Sequence, residues 1–159
     1  VQFTASPALR DKIREAQDLL RHQLPAGDLA PILDRALTLL IAQVKKERFG
    51  VGRKARSREP KRKKQADSRH VPMAIRRAAF ERDGGRCAYV DPEGRRCEAR
   101  AFVELDHTEG FARTRRHDAD STRLLCKPHN QHAADLMFGK AWMDDKRAKA
   151  RRGDPEAGP

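Results

Sequence analysis

Residues 104–130 read ELDHTEGFARTRRHDADSTRLLCKPHN, with the pair Asp106-His107 near one end and a Cys-x-x-His-Asn cluster, Cys126, His129 and Asn130, at the other. Side chains of these types bind metal ions and move protons. Their density in so basic a chain is what two ions would ask for, one structural and one catalytic. The cysteines carry the structural half. Cys87 and Cys97 flank the turn-forming stretch Asp91-Pro92-Glu93-Gly94, and a hairpin there sets them almost opposite each other. Cys126 and His129 form a C-x-x-H knuckle where a strand passes into a helix. Two ligand pairs on two turns make a tetrahedral Cys3His zinc site. The gap of nine residues between Cys87 and Cys97 is wider than the usual spacing of about two to four, and the hairpin brings its ends back together. The competing arrangement is a Cys87–Cys97 disulfide with Cys126 buried as a small apolar side chain. Three cysteines would leave one thiol over in an all-disulfide framework, so reduced, metal-bound thiolates in a cytoplasmic setting are the better expectation.

The elements that must position these residues follow from the local pattern. Pro72 starts a short helix, MAIRRAAFERD, that Gly84 and Gly85 end. CAYVDPEGRRC is the hairpin, AFVELDH a strand, and GFARTRRHDADS a polar loop. TRLL is the return strand, and PHNQHAADLMFGKAWMDD reads as one closing helix. Together these predict an α+β module over residues 71–147, followed by a loose tail over 148–159. Upstream, VQFTA alternates apolar and polar side chains as a short strand does. Ser6 can cap a helix that opens with Pro7 and carries Leu9, Ile13, Ala16 and Leu20 on one face. Pro25 and Gly27 interrupt the pattern, and Asp28 can cap a second helix. That helix bears Leu29, Ile32, Leu33, Ala36, Leu37, Leu40 and Val44, an apolar surface too wide for two helices to bury between them. A second copy, or the rest of the chain, has to cover it. Residues 1–49 therefore read as a helical N-terminal module. Residues 50–70 read as a disordered basic linker, with nine Lys or Arg against two acidic residues.

The totals agree with small modules. Over 159 residues only 38% are hydrophobic and 5% aromatic, so no large core is available and a metal or a partner must help. A net charge of +12 favours a polyanionic partner, most plausibly nucleic acid, with the linker as a phosphate-binding arm. No apolar run is long enough to cross a bilayer, and no secretory signal pattern appears. A cytoplasmic protein without membrane contact is expected.

The set formed by RRAAFERDGGRC, the DH of VELDH, and LLCKPHN with HNQHAADLMFG after it resembles the HNH endonucleases, the ββα-metal fold, over residues 72–143. The resemblance implies a one-metal phosphodiesterase that leaves a 5′ phosphate and a 3′ hydroxyl. It makes His107 the general base, which suits an imidazole that titrates near neutral pH. It makes Asp106 and Asn130 the protein ligands of Mg2+ or another divalent ion, with waters filling the remaining positions. Arg113, Arg115, Arg116, Arg123 and Lys127 become phosphate contacts, and His117 and His132 are left as alternative histidines. The chain departs from the family in the loop. Ser121 stands where an Asn usually braces it, Thr114-Arg115 replace a Gly-Gly, and Gly110 replaces a Pro. A shorter brace with fewer hydrogen bonds predicts a looser loop and slower catalysis, while the base and the metal ligands remain. A strand followed by two helices at the N-terminus also resembles the ribbon-helix-helix class of DNA-binding dimers. That likeness implies base-reading roles for Gln2 and Thr4 on a two-stranded ribbon. The rival expectations are a zinc-stabilised DNA-binding protein that has lost cleavage, and a regulator driven by residues 1–49.

Overall fold

The computed structural model describes residues 2–24, 27–53 and 68–153. Most of the expected linker (residues 54–67) and the end of the expected tail (154–159) lie outside the described residues. The chain divides into two compact units, residues 1–47 and 48–159.

The first unit is built on two helices, α1 (Pro7–Leu20) and α2 (Leu29–Phe49), the second running on to Phe49 past the unit boundary. Their starts follow the predicted chemistry. The Ser6 hydroxyl accepts from the Leu9 N–H at 3.3 Å with Pro7 in the first turn, and Asp28 Oδ1 accepts from the Ala30 N–H at 3.0 Å. Polar bonds close the pair: Gln17 Nε2 donates to the Gly27 carbonyl and Arg35 to the Gln23 side chain. The strand expected at VQFTA is absent, since residues 2–6 have no regular secondary structure. A β-ribbon needs a second strand to satisfy its N–H and C=O groups, and among the described residues no strand of the chain pairs there. Ile32 is buried, while Leu37, Leu40 and Ile41 stay 53%, 58% and 51% exposed.

The second unit has an antiparallel pair, β1 (Val103–His107) and β2 (Thr122–Cys126), with Asp106 opposite Arg123 and His107 opposite Thr122. Helix α3 (Met73–Asp83) precedes the pair and ends at Gly84, whose left-handed φ of 66° is a conformation that favours glycine. A one-turn helix α4 (Phe111–Thr114) lies within the loop expected to be irregular. The expected closing helix is two helices, α5 (Lys127–Phe138) and α6 (Lys140–Arg152), because Gly139 at φ 90° breaks the run. The second of these runs to Arg152, past the expected module end at 147. The hairpin before β1 is reduced to one bridge, Val90 with Arg96, and a turn closed by Asp91 and Arg95.

Two small cores flank the strands. Phe49, Val103 and Leu124 form one, with Val51, Phe80 and Leu105 packed against it and the Phe49 and Phe80 rings stacked at 4.2 Å. Cys87, Leu125 and Cys126 form the other, joined by Tyr89, Cys97, Ala99 and Ala133. Buried Asp83 links α3 to β2. Its carboxylate accepts from the Leu124 N–H at 2.7 Å and takes a two-pronged contact from Arg82, which also reaches the Thr122 and Ala119 carbonyls. Among the described residues no helix is long and apolar enough to cross a membrane.

Candidate functional site

The hairpin turn and the β2–α5 junction converge as their cysteine spacing predicts. Cys87, Cys97, Cys126 and His129 place one ligand atom each within 4.8 Å of all the others. The sulfurs of Cys87 and Cys126 lie 3.5 and 3.3 Å from His129 Nδ1, and all three thiols are free. Tetrahedral Zn–S bonds would separate sulfurs by about 3.8 Å, so the four donors need only small shifts to close on one ion. Three thiols and a ring nitrogen suit a borderline-soft cation, and this group could hold a metal such as zinc. No cross-strand disulfide joins Cys87 to Cys97.

Local structure orients the donors. Arg96 reaches back to the carbonyls of Asp83, Arg86 and Cys87, which pins the first knuckle to the end of α3. Tyr89 stacks on the His129 ring at 3.8 Å between centroids and 13° between planes, so the imidazole can present Nδ1 in one direction. Burial opposes ionisation of the Cys87 thiol. The backbone amides of Cys126 and Tyr89 and the neighbouring thiols outweigh it, and the pKa falls below the ordinary cysteine value. Burial, aided by the charge that Cys87 acquires, pushes Cys126 up. A cation shared among these sulfurs would relieve that repulsion.

The second set of expected residues is not brought to one point: Asp106 and His107 end β1, Asn130 contacts Glu104 near its start, and each has a partner of its own. Asp106 is engaged by Arg123 from the facing strand, Nε to Oδ2 at 2.9 Å. Asn130 donates its amide N–H to Glu104 at 2.7 Å. Glu104 and Asp106 are two residues apart on β1, so Asp106 and Asn130 belong to the same face of the strand pair. Alternation turns Leu105 and His107 towards the other face. Among the described residues the Cys3His group is the only set of three or more His, Cys, Asp or Glu donors within reach of one ion.

His107 sits in a small aromatic cluster. Its Nε2 lies 3.0 Å from His117 Nδ1, and His117 Nε2 lies 2.7 Å from the Ser68 carbonyl oxygen. Phe111 stacks on His117 and tilts against His107. Burial lowers the His107 pKa below its ordinary value, and the charge of His117 adds to this against a smaller opposing pull from Asp106. Ser121 braces the loop through its carbonyl, which accepts from both the N–H and the hydroxyl of Thr108, while its own hydroxyl reaches only the Asp118 carbonyl at 3.4 Å.

The basic residues divide. Arg113 donates to the Met137 carbonyl and lies over the Phe138 ring, which ties the loop to α5. Arg123 is committed to Asp106. Arg115, Arg116 and Lys127 are exposed. Several contributions were not foreseen from the sequence: Glu104 beside Asn130, Tyr89 on the metal ligand, and the contact of His117, named only as an alternative histidine, with His107. Tyr89 lies two residues after Cys87 and was within reach of a pattern argument. The other two depend on pairings that only the folded chain makes. No protein-family model, curated protein or solved structure matches the chain.

Proposed function

We propose that the chain is a zinc-stabilised, HNH-type endonuclease that hydrolyses phosphodiester bonds in DNA. The observation that supports this best is a shared junction. The passage from β2 into α5 that brings Cys126 and His129 to the Cys3His group also sets Asn130 beside the strand that ends in Asp106-His107.

A phosphodiester bound across the end of β1 would have to be met by side chains from both faces of the strand. His107 takes the proton from the attacking water. Its lowered pKa keeps the ring neutral and able to accept at pH 7. Asp106 and Asn130 offer a carboxylate and an amide oxygen, the donor chemistry of a hard divalent cation such as Mg2+. Asn130 gives its N–H to Glu104, which leaves its carbonyl oxygen as the donor. When bound, such an ion stabilises charge on the phosphate and on the leaving oxygen. Arg123 would release Asp106 to such a cation and, with Arg115, Arg116 and Lys127, would meet phosphates, while Arg113 stays on the Met137 carbonyl. In the N-terminal unit, Leu29, Leu33, Leu37, Leu40, Ile41 and Val44 fall within about a third of the α2 circumference at about 100° per residue. This exposed stripe supports a homodimer through the helices.

A second reading, a DNA-binding protein without cleavage, is favoured by the Arg123 side chain on Asp106 and by Ser121 in place of the usual Asn. Supercoiled plasmid incubated with zinc-loaded protein and Mg2+ decides between them. Nicking by the wild type that His107→Ala abolishes is the expected result. Retarded but intact plasmid selects the binder.

A further inference from the structure

We infer that His117 is a positioning residue for His107: it holds the imidazole by Nε2 and leaves Nδ1 as the nitrogen that takes the proton. The inference rests on the nuclease reading above and adds to it the atom that acts and the side chain that selects it.

The argument starts at the main chain. A carbonyl oxygen only accepts hydrogen bonds, so the 2.7 Å contact between Ser68 O and His117 Nε2 requires a proton on that nitrogen. In a neutral His117 the other nitrogen, Nδ1, is then an acceptor. With His117 neutral, the hydrogen in the 3.0 Å contact between the rings belongs to His107 Nε2. A neutral His107 protonated at Nε2 has one lone pair left in the ring plane, on Nδ1. A single carbonyl thus sets the tautomer of two rings in series.

Packing fixes the geometry of the relay as well as its polarity. Phe111 stacks on His117 with centroids 4.6 Å apart and planes 13° apart, and it meets the His107 ring at 5.4 Å. A flip of His117 about its ring axis would break both of its hydrogen bonds against that stack. His117 also ties the long loop to β1 ten residues after His107, where the Ser121 side chain offers only a long bond to Asp118. The loop brace that an Asn would provide is partly replaced by an imidazole.

The test uses the full zinc-loaded chain and the variants His117→Ala and His117→Asn. The Asn side chain can place its carbonyl oxygen near the position of Nδ1, so it keeps an acceptor for the His107 ring. Wild type is expected to show a downfield, slowly exchanging ring N–H in proton–nitrogen NMR, assigned to His107 by its disappearance in His107→Gln. That signal is lost in His117→Ala and returns in His117→Asn. Plasmid nicking follows it: kcat falls roughly tenfold or more in His117→Ala with KM unchanged, short of the ~10²–10⁴-fold that a general base supplies, and recovers in His117→Asn. A ring N–H that persists in His117→Ala, or a kcat that does not change, overturns the proposal. Should the wild type leave plasmid intact while the ring signal behaves as described, the hydrogen bond stands and the nuclease reading falls.

Discussion

Among the described residues of the first unit Ile32 is the one buried side chain, whereas the second buries Val71, Ala79, Val103, Leu124 and Leu125 and gathers three thiols and an imidazole at one point. Both units bury few apolar side chains. The second replaces missing core with crosslinking: metal donors, a buried Asp83, and arginines on main-chain carbonyls. The first has no such set among its described residues and leaves a leucine-rich helix face open. The contrast teaches that a short basic chain can set polar crosslinks, and donors that could hold a metal, beside a small core in one module. In the other it leaves surface that a second copy can cover.

The largest effect should come from taking away the metal. Chelation, or Cys87→Ser, is expected to unfold the second unit while leaving α1 helical, since structural zinc can supply about 10–16 kcal/mol of apparent binding free energy. Amide NMR spectra check this: peaks from residues 71–152 should collapse and those from 7–20 persist. Spectra unchanged by a chelator that strips the protein of zinc would remove the crosslinking half of the comparison. Next in size, His107→Ala should lower nicking by ~10²–10⁴-fold without changing zinc content or melting temperature, which separates chemistry from folding.

Leu37→Gln with Leu40→Gln addresses the first unit. Light scattering should shift from dimer to monomer mass while the second unit keeps its zinc and its NMR spectrum. A wild-type chain that is already monomeric at high concentration defeats this half of the contrast. Asp83→Ala should cost about 1–3 kcal/mol in urea unfolding of the second unit, because the buried Leu124 N–H loses its acceptor. Thr122→Val should change least. Thr122 is fully buried and its Oγ1 has no hydrogen-bond partner, so the variant is expected to be neutral or stabilising by up to ~1 kcal/mol. A marked loss of stability there would show that the hydroxyl has a partner after all.

Much of the second unit was legible in the chain. The Asp91-Pro-Glu-Gly turn, the C-x-x-H spacing and two apolar runs placed the metal donors and both strands, because each signal spans only a few residues. The caps at Ser6 and Asp28 were legible for the same reason. Gly139 carried a visible break signal, yet the apolar pattern on either side was continuous enough to read as one helix. The VQFTA alternation is not matched by a strand at residues 2–6, and among the described residues no strand pairs there to take up its hydrogen bonds.

What the sequence determined alone is the inventory: soft donors for one ion, an acid-imidazole pair, a surplus of positive charge, and the local turns that present them. The tertiary structure decided who meets whom. Cys87 reaches His129 across 42 residues, Asn130 turns to Glu104 across 26, and His107 finds His117 rather than standing alone. Local conformation is set by neighbours a few bonds away and can be read from spacing. Contacts between distant side chains depend on strand register, helix docking and ring packing, and these exist only once the whole unit has folded.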